Sequence, residues 1–232
     1  MQTVFPAAPP TLIPVVGTDA AFPVRRIYCV GRNYAEHAKE MGFTGREDPF
    51  FFSKPADAIL YVPEGETGEL PYPPRTSDLH HEIELVVALG SGGRDLTVEQ
   101  AAACVYGYAV GLDMTRRDLQ GVAKKQGRPW EVGKAFDFGA PMGPIYPVER
   151  TGVLERADIT LEVNGQLRQK GCISDMIWNI AESISYLSGL FELKAGDLIF
   201  TGTPEGVAAV VPGDLLVGAV QGVGELKVKV VA

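Results

Sequence analysis

The sequence predicts an α+β fold that is rich in strands. Three observations carry that expectation. Short runs of β-like alternation outnumber runs with helical spacing. The two kinds of run do not alternate regularly along the chain, which argues against a doubly wound parallel fold. Asn164-Gly165, the preferred residue pair of a two-residue hairpin turn, sits between two alternating stretches.

Residues 1–22 are rich in Pro and Ala with no clear period, and read as an N-terminal arm or irregular edge. Residues 23–232 read as one domain. "RRIYCVG" (25–31) is a short strand ending in Gly, and "NYAEHAKEMG" (33–42) a short helix between a capping Asn and a terminating Gly. "PFFFSKPAD" (49–57) is a strand between prolines, and "EGETGELPYPPRTSD" (64–78) a polar loop. "EIELVVALG" (82–90) alternates and then turns fully apolar, as a strand entering a core does. "LTVEQAAACV" (96–105) is a helix with Thr97 near its start, "VYGYAVGLD" (105–113) a strand, and "RRDLQGVAKKQG" (116–127) a helix stopped at Gly127. Residues 157–171 form the hairpin. "SDMIWNIAESISYLSGL" (174–190) has helical spacing with Ser174 as candidate N-cap, and "GDLIFTGTPEGV" (196–207) and "GVGELKVKVVA" (222–232) complete a β-rich set.

The chain has 232 residues, 46% of them hydrophobic, enough for one large core or two small ones. Its formal net charge of -8 argues against a nucleic-acid surface. No apolar run is long enough to cross a bilayer, and the first residues lack the charged and apolar regions of a signal peptide. A cytoplasmic location is therefore expected. Cys29, Cys104 and Cys172 are odd in number and far apart, so they read as buried free thiols.

The segment "LHHEIELVVALG" (79–90) begins with four ionisable groups and then becomes apolar. Strand parity puts His80, Glu82 and Glu84 on one face and His81 on the other, with Ile83, Leu85 and Val87. Two carboxylates on a half-buried face repel unless something neutralises them. Spacing alone leaves two readings: a solvent-facing pair at a strand edge, or ligands of a hard divalent cation such as Mg²⁺, Mn²⁺ or Ca²⁺. Asp113, at the end of another apolar strand, is a candidate third ligand. His80 reads as a partner of a ligand carboxylate, and His81 as structural.

Taken together, "GRNYAEHAKEMG", "SKPADAI", "HHEIELVVALG", "GYAVGLDMTRRDLQ", "GRPWEVGKAFD", "VNGQLRQKG" and "LKAGDLIFTGTPEGV" resemble, in this order, the fumarylacetoacetate hydrolase family in its short form. The resemblance covers roughly residues 24–232. It implies a mixed β-sandwich or roll with flanking helices, as a homodimer, and a hydrolase that cleaves a C–C bond in a 1,3-diketo acid. The wording is most similar to members that act on fumarylpyruvate in gentisate breakdown. The same resemblance implies Mg²⁺ or Mn²⁺ on Glu82, Glu84 and Asp113, and places Gln120, Lys134 and Thr203 in the pocket. His37 and Glu40 match the pair that activates water. Lys134 and Gln120 are candidate oxyanion donors.

A dianionic substrate needs cations away from the metal, and Arg32, Lys54, Arg116, Arg117 and Arg128 lie within the matched segments. Arg117 or Arg32 is the candidate carboxylate holder, and Arg116 the surface residue of its pair. The glycines of "TGTPEGV" suit a turn whose backbone N–H groups approach a carboxylate. Two other readings stay open. One is a decarboxylase of oxaloacetate-like acids or an isomerase of hydroxymuconate-type acids, since either would pass through the same enolate. The other is a metal-binding module without catalysis.

Overall fold

The fold is seen in a computed structural model that describes residues 3–34 and 46–232. The expected class holds: a strand-rich α+β molecule with two large facing sheets, two smaller ones of two and three strands, and a few helices. The larger sheet is eight-stranded and mixed. At its centre, Ile83–Leu89 pairs antiparallel with both Val105–Leu112 and Leu198–Phe200. Leu198–Phe200 runs parallel to Ile27–Gly31, which pairs with Phe50–Lys54 at one edge. The second sheet is five-stranded and holds the hairpin Asp158–Val163/Gln166–Cys172, followed by Leu215–Val220, Gly224–Val231 and Thr67–Pro71.

All seven positions of Ile83–Leu89 are buried, so both of its faces are covered. Ile83, Leu85, Val87 and Leu89 point into the core shared with Ile159, Leu161, Leu216 and Val228 of the second sheet. Val86 and Ala88 point the other way, into a smaller core with Cys29, Ala109 and Phe200. Each fully buried Val or Leu contributes about 1.5–3 kcal/mol, so this one strand anchors both layers. Gly218 permits the layers to meet: a Cβ there would lie 2.5 Å from Ile83 Cδ1.

The smaller core corrects one reading of the sequence. Residues 12–22, expected within an irregular arm, belong with Pro23 to the antiparallel pair Leu12–Pro14/Ala21–Pro23, and Ile13, Val15 and Phe22 are buried in that core. A three-residue strand is too short for alternation to be read. The polar loop expected over 64–78 likewise contains the strand Thr67–Pro71, added parallel to Gly224–Val231. The helix expected from Ser174 begins later, at Ile180, and runs to Leu190. Its cap is Asn179, whose Oδ1 accepts from Glu182 N while Glu182 returns a bond to Asn179 N. Ser174 lies in a preceding 3₁₀ turn. Thr97 does cap Val98–Ala102, through a reciprocal box with Gln100. At the hairpin, Asn164 (φ 54°) and Gly165 (φ 74°) both take the left-handed conformation that a type I′ turn requires.

Candidate active site

Sheet register builds the site. Ile83 lies opposite Leu112, and one step outward Asp113 N donates to Glu82 O at 2.8 Å. Glu82 and Asp113 therefore sit side by side where the two central strands end. Glu84 lies one pleat inward, opposite Gly111. Ligand atoms of Glu82, Glu84 and Asp113 all lie within 4.8 Å of one another, and all three side chains are buried. The expectation of a solvent-facing pair is thus excluded.

Three cations surround this cluster. Lys134 Nζ donates to Glu82 Oε2 at 2.7 Å and to Asp113 Oδ2 at 2.6 Å. Burial works against its ammonium, but Asp113 and Glu82 outweigh it and hold its pKa above the ordinary lysine value. Arg117 donates to Glu82 Oε1 and to Gln120 Oε1. Lys54 meets Asp113 Oδ1 at 2.8 Å. Glu84 has a different partner, the backbone N–H of Gly202 at 2.8 Å. Its burial, with Asp113 and Glu82 adding, pushes the carboxyl well above the ordinary carboxylate range. A buried carboxyl held there by its carboxylate neighbours is what a cation relieves. The all-oxygen donor set suits a hard divalent ion. The residues therefore fit the metal that the sequence implied, with Glu82, Glu84 and Asp113 as holders.

A pocket opens over the cluster, lined also by Arg32, Arg117, Gln120, Lys134, Phe52, Trp130 and Thr203. Gln120 and Lys134 come together because the short helix Glu131–Lys134 packs closely on the helix Arg117–Lys125. Gly133 allows it, since a Cβ there would lie 2.9 Å from Gln120 Cβ and N. Arg117 fixes the orientation of Gln120: a guanidinium only donates, so the amide oxygen faces it and the NH₂ is left for the pocket. Of the three Lys134 protons, two are used by carboxylates and one remains.

Arg32 stands at the rim, its guanidinium 5.0 Å from the centre of the Phe50 ring. Its φ of +56° is unusual for a residue with a side chain. Asn33 holds the turn in place: its amide donates to Thr201 O and Trp178 O and accepts from Trp178 N. Asn33 is 1% exposed, and the sequence, which offered it as the cap of an expected helix that lies mostly outside the described residues, gave no sign of this role.

Several expectations need correcting. Lys54, expected to bind substrate, lies beneath the cluster. Its ammonium is ion-paired with Asp113 and donates to Met114 O and Lys134 O. It holds Asp113 in place instead. His80 pairs with Asp78 at 2.9 Å, not with a ligand carboxylate, and burial, then Arg117, lowers its pKa. The backbone N–H of Gly202 does approach a carboxylate, but it is the protein's own Glu84. Arg116 lies over Phe136, outside the pocket, as expected for the outer residue of its pair. Cys29 and Cys104 are buried thiols as expected, whereas Cys172 is partly exposed. His37 and Glu40 lie outside the described residues.

Gln169 escaped the sequence reading. Gln169 Oε1 meets His81 Nδ1 at 2.8 Å and accepts from Ile83 N at 3.1 Å. Its Nε2 donates to Thr203 Oγ1 and Pro204 O, both at 2.8 Å. His81 is fully buried against Gln169, and burial lowers its pKa, in keeping with the structural reading that parity gave. Hydrophobicity pointed the wrong way in this strand: Leu167 is 55% exposed and Gln169 0%.

Residues 26–231 match the fumarylacetoacetate (FAA) hydrolase C-terminal family. The chain is similar to a fumarylpyruvate hydrolase of Ralstonia sp, 47% identical over 184 residues that cover 79% of this chain and 93% of that protein. It is also similar to the mitochondrial oxaloacetate decarboxylase of Dictyostelium discoideum, 42% identical over 83% of this chain and 87% of that one. An oxaloacetate tautomerase of Escherichia coli (strain K12) is 43% identical over 84% of this chain and 88% of that one. Among solved structures, the fumarylpyruvate hydrolase of Pseudomonas aeruginosa in complex with Mn²⁺ and pyruvate superposes with a TM-score of 0.97, at 56% identity and 99% coverage of both chains.

Proposed function

The chain belongs to the fumarylacetoacetate hydrolase family, and we propose that within it the protein hydrolyses an acylpyruvate, with fumarylpyruvate and water giving fumarate and pyruvate. One observation carries this reading: Glu82, Glu84 and Asp113 share a pocket with Lys134, Gln120, Arg117 and Thr203, in a chain 56% identical to a fumarylpyruvate hydrolase solved with Mn²⁺ and pyruvate.

Water adds to the acyl carbonyl, the C–C bond to the pyruvyl carbon breaks, and the leaving enolate takes a proton to become pyruvate. The protein must therefore remove a proton from water and stabilise negative charge twice. A divalent ion on the three carboxylates, Mg²⁺ or Mn²⁺, supplies Lewis-acid stabilisation of the dioxo oxygens. The free proton of Lys134 and the NH₂ of Gln120 donate to developing oxyanions. Arg117 holds the carboxylate of the pyruvyl end with the guanidinium donors not used by Glu82 and Gln120. His37, supported by Glu40, is the proposed base for water.

Two features support a dianionic substrate. A groove continues from the pocket through Arg32, Phe52 and Trp130, and Arg128 lies along it. The carboxylate cluster is matched by Lys54, Lys134 and Arg117, so a bound divalent ion would leave an excess of positive charge for an anion to meet. The protein is also read as a homodimer, which light scattering would test.

Relatives that act on oxaloacetate favour a second reading, enolate chemistry without added water. The experiment is the spectrophotometric decay of fumarylpyruvate, acetylpyruvate and oxaloacetate, each with Mg²⁺, Mn²⁺ or EDTA. Metal-dependent loss of fumarylpyruvate with release of one pyruvate per molecule supports hydrolysis. Turnover of oxaloacetate alone replaces it with the second reading.

A further inference from the structure

Gln169 lies on the five-stranded sheet, in the strand Gln166–Cys172, yet it reaches the pocket through one side chain. Its amide orientation is fixed twice over. Ile83 N–H only donates, so the atom facing it is the amide oxygen. Pro204 carbonyl only accepts, so the atom facing it is the amide nitrogen. The nitrogen also donates to Thr203 Oγ1 at 2.8 Å. The Thr203 hydroxyl thus already accepts a bond. Its own proton has no acceptor among the described residues, and Thr203 lines the pocket at 3% exposure.

We infer that Gln169 is a positioning residue whose amide polarity makes the Thr203 hydroxyl a donor, aimed at a negatively charged oxygen of the bound keto acid. Thr203 cannot turn its proton toward Gln169 while the amide NH₂ faces it. The hydroxyl is therefore oriented before substrate arrives, and no reorganisation is needed on binding. The inference rests on the proposed keto-acid substrate for the identity of the acceptor.

The test exploits a change of polarity without a change of shape. In Gln169→Glu, one carboxylate oxygen still accepts from Ile83 N. The other replaces the donor to Pro204 O and Thr203 and, once ionised, invites the Thr203 proton and turns it out of the pocket. Binding is therefore measured across pH and compared at the alkaline plateau. Pyruvate binding to the full-length, Mn²⁺-loaded protein is measured by titration calorimetry, alongside kcat and KM for an acylpyruvate. We expect Gln169→Glu and Thr203→Val each to weaken pyruvate binding by about 10- to 100-fold, the range for a hydrogen bond to a charged group. KM should rise by more than kcat falls, and Thr203→Ser should bind as the parent does. The double variant Gln169→Glu/Thr203→Val should bind no more weakly than Thr203→Val alone. Parent-like binding by Gln169→Glu, or additive losses in the double variant, overturns the inference. If Gln169→Glu does not fold, Gln169→Met takes its place, with a smaller but still non-additive loss expected and an additive one decisive against. A parent protein that binds pyruvate but hydrolyses no acylpyruvate defeats the hydrolase reading and leaves this inference standing.

Discussion

Two buried polar networks meet at the pocket, and they are built on opposite terms. On the eight-stranded sheet, Glu82 and Asp113 are fixed by Lys54, Lys134 and Arg117, and Glu84 by the backbone N–H of Gly202. On the five-stranded sheet, Gln169 joins His81, Ile83 N, Thr203 and Pro204 through neutral groups. The charged network keeps one strained member, Glu84, whose burial among carboxylates disfavours its charge. The neutral network satisfies both ends of its central amide. One is therefore poised to take up a cation, and the other to hold geometry whether or not a cation is present.

The largest way to break this contrast is Lys54→Met. It strips a buried partner from Asp113, and losing one side of a buried ion pair costs about 3–5 kcal/mol. Urea denaturation should show an unfolding free energy lower by that amount, and Mn²⁺ should restore part of it. Removing metal from the parent protein is next. A ligand at 100 times its Kd stabilises by about 2.7 kcal/mol, so EDTA should lower the thermal midpoint accordingly. The same chelation should leave a Glu84→Gln variant unmoved, because that variant lacks a metal-holding carboxylate.

Gln169→Met tests the neutral side. It leaves Ile83 N–H buried without a partner, at a cost of about 1–3 kcal/mol. That loss should be the same with and without Mn²⁺. An Mn²⁺-dependent loss would merge the two networks into one. As a control remote from both, Asn179→Ala removes a helix cap and should cost about 1 kcal/mol.

Glu84 also gives a pH dependence with a definite sign. Its carboxyl is raised in the folded protein, so the folded state binds more protons than the unfolded one above the ordinary carboxylate range. Stability of the metal-free protein should therefore fall as pH rises through and beyond that range, until the folded carboxyl is itself ionised. Glu84→Gln should flatten this part of the profile, read by thermal denaturation in EDTA across pH.

Much of this was legible before folding. Parity put Glu82 and Glu84 on one face and His81 on the other. Asn164-Gly165 marked its hairpin, and the ordered motifs carried the family. The failures share a cause. Lys54 looked like a substrate ligand because a cation in a matched segment is seen only as a charge. Its burial under Asp113 is set by the pairing of Ile27–Gly31 with Phe50–Lys54 and by sheet closure. Parity makes His80 the partner of a ligand carboxylate, but its actual partner Asp78 lies two residues away, just before the short strand Leu79–His80, where parity does not apply.

What the sequence by itself determined were properties local to the chain: the strand-rich class, which carboxylates share a face, the turn at Asn164 and the helix cap at Thr97. These rest on φ/ψ preferences and on a period of two or 3.6 residues, which neighbours alone enforce. What only the tertiary structure decided was which polar groups meet across sheets. Asp113 joins Glu82 because Ile83 is in register with Leu112. Gln169 reaches Thr203, 34 positions away, because the second sheet is laid over the first. Burial turns such meetings from optional to obligatory, since an unpaired polar group in the core is too costly to keep.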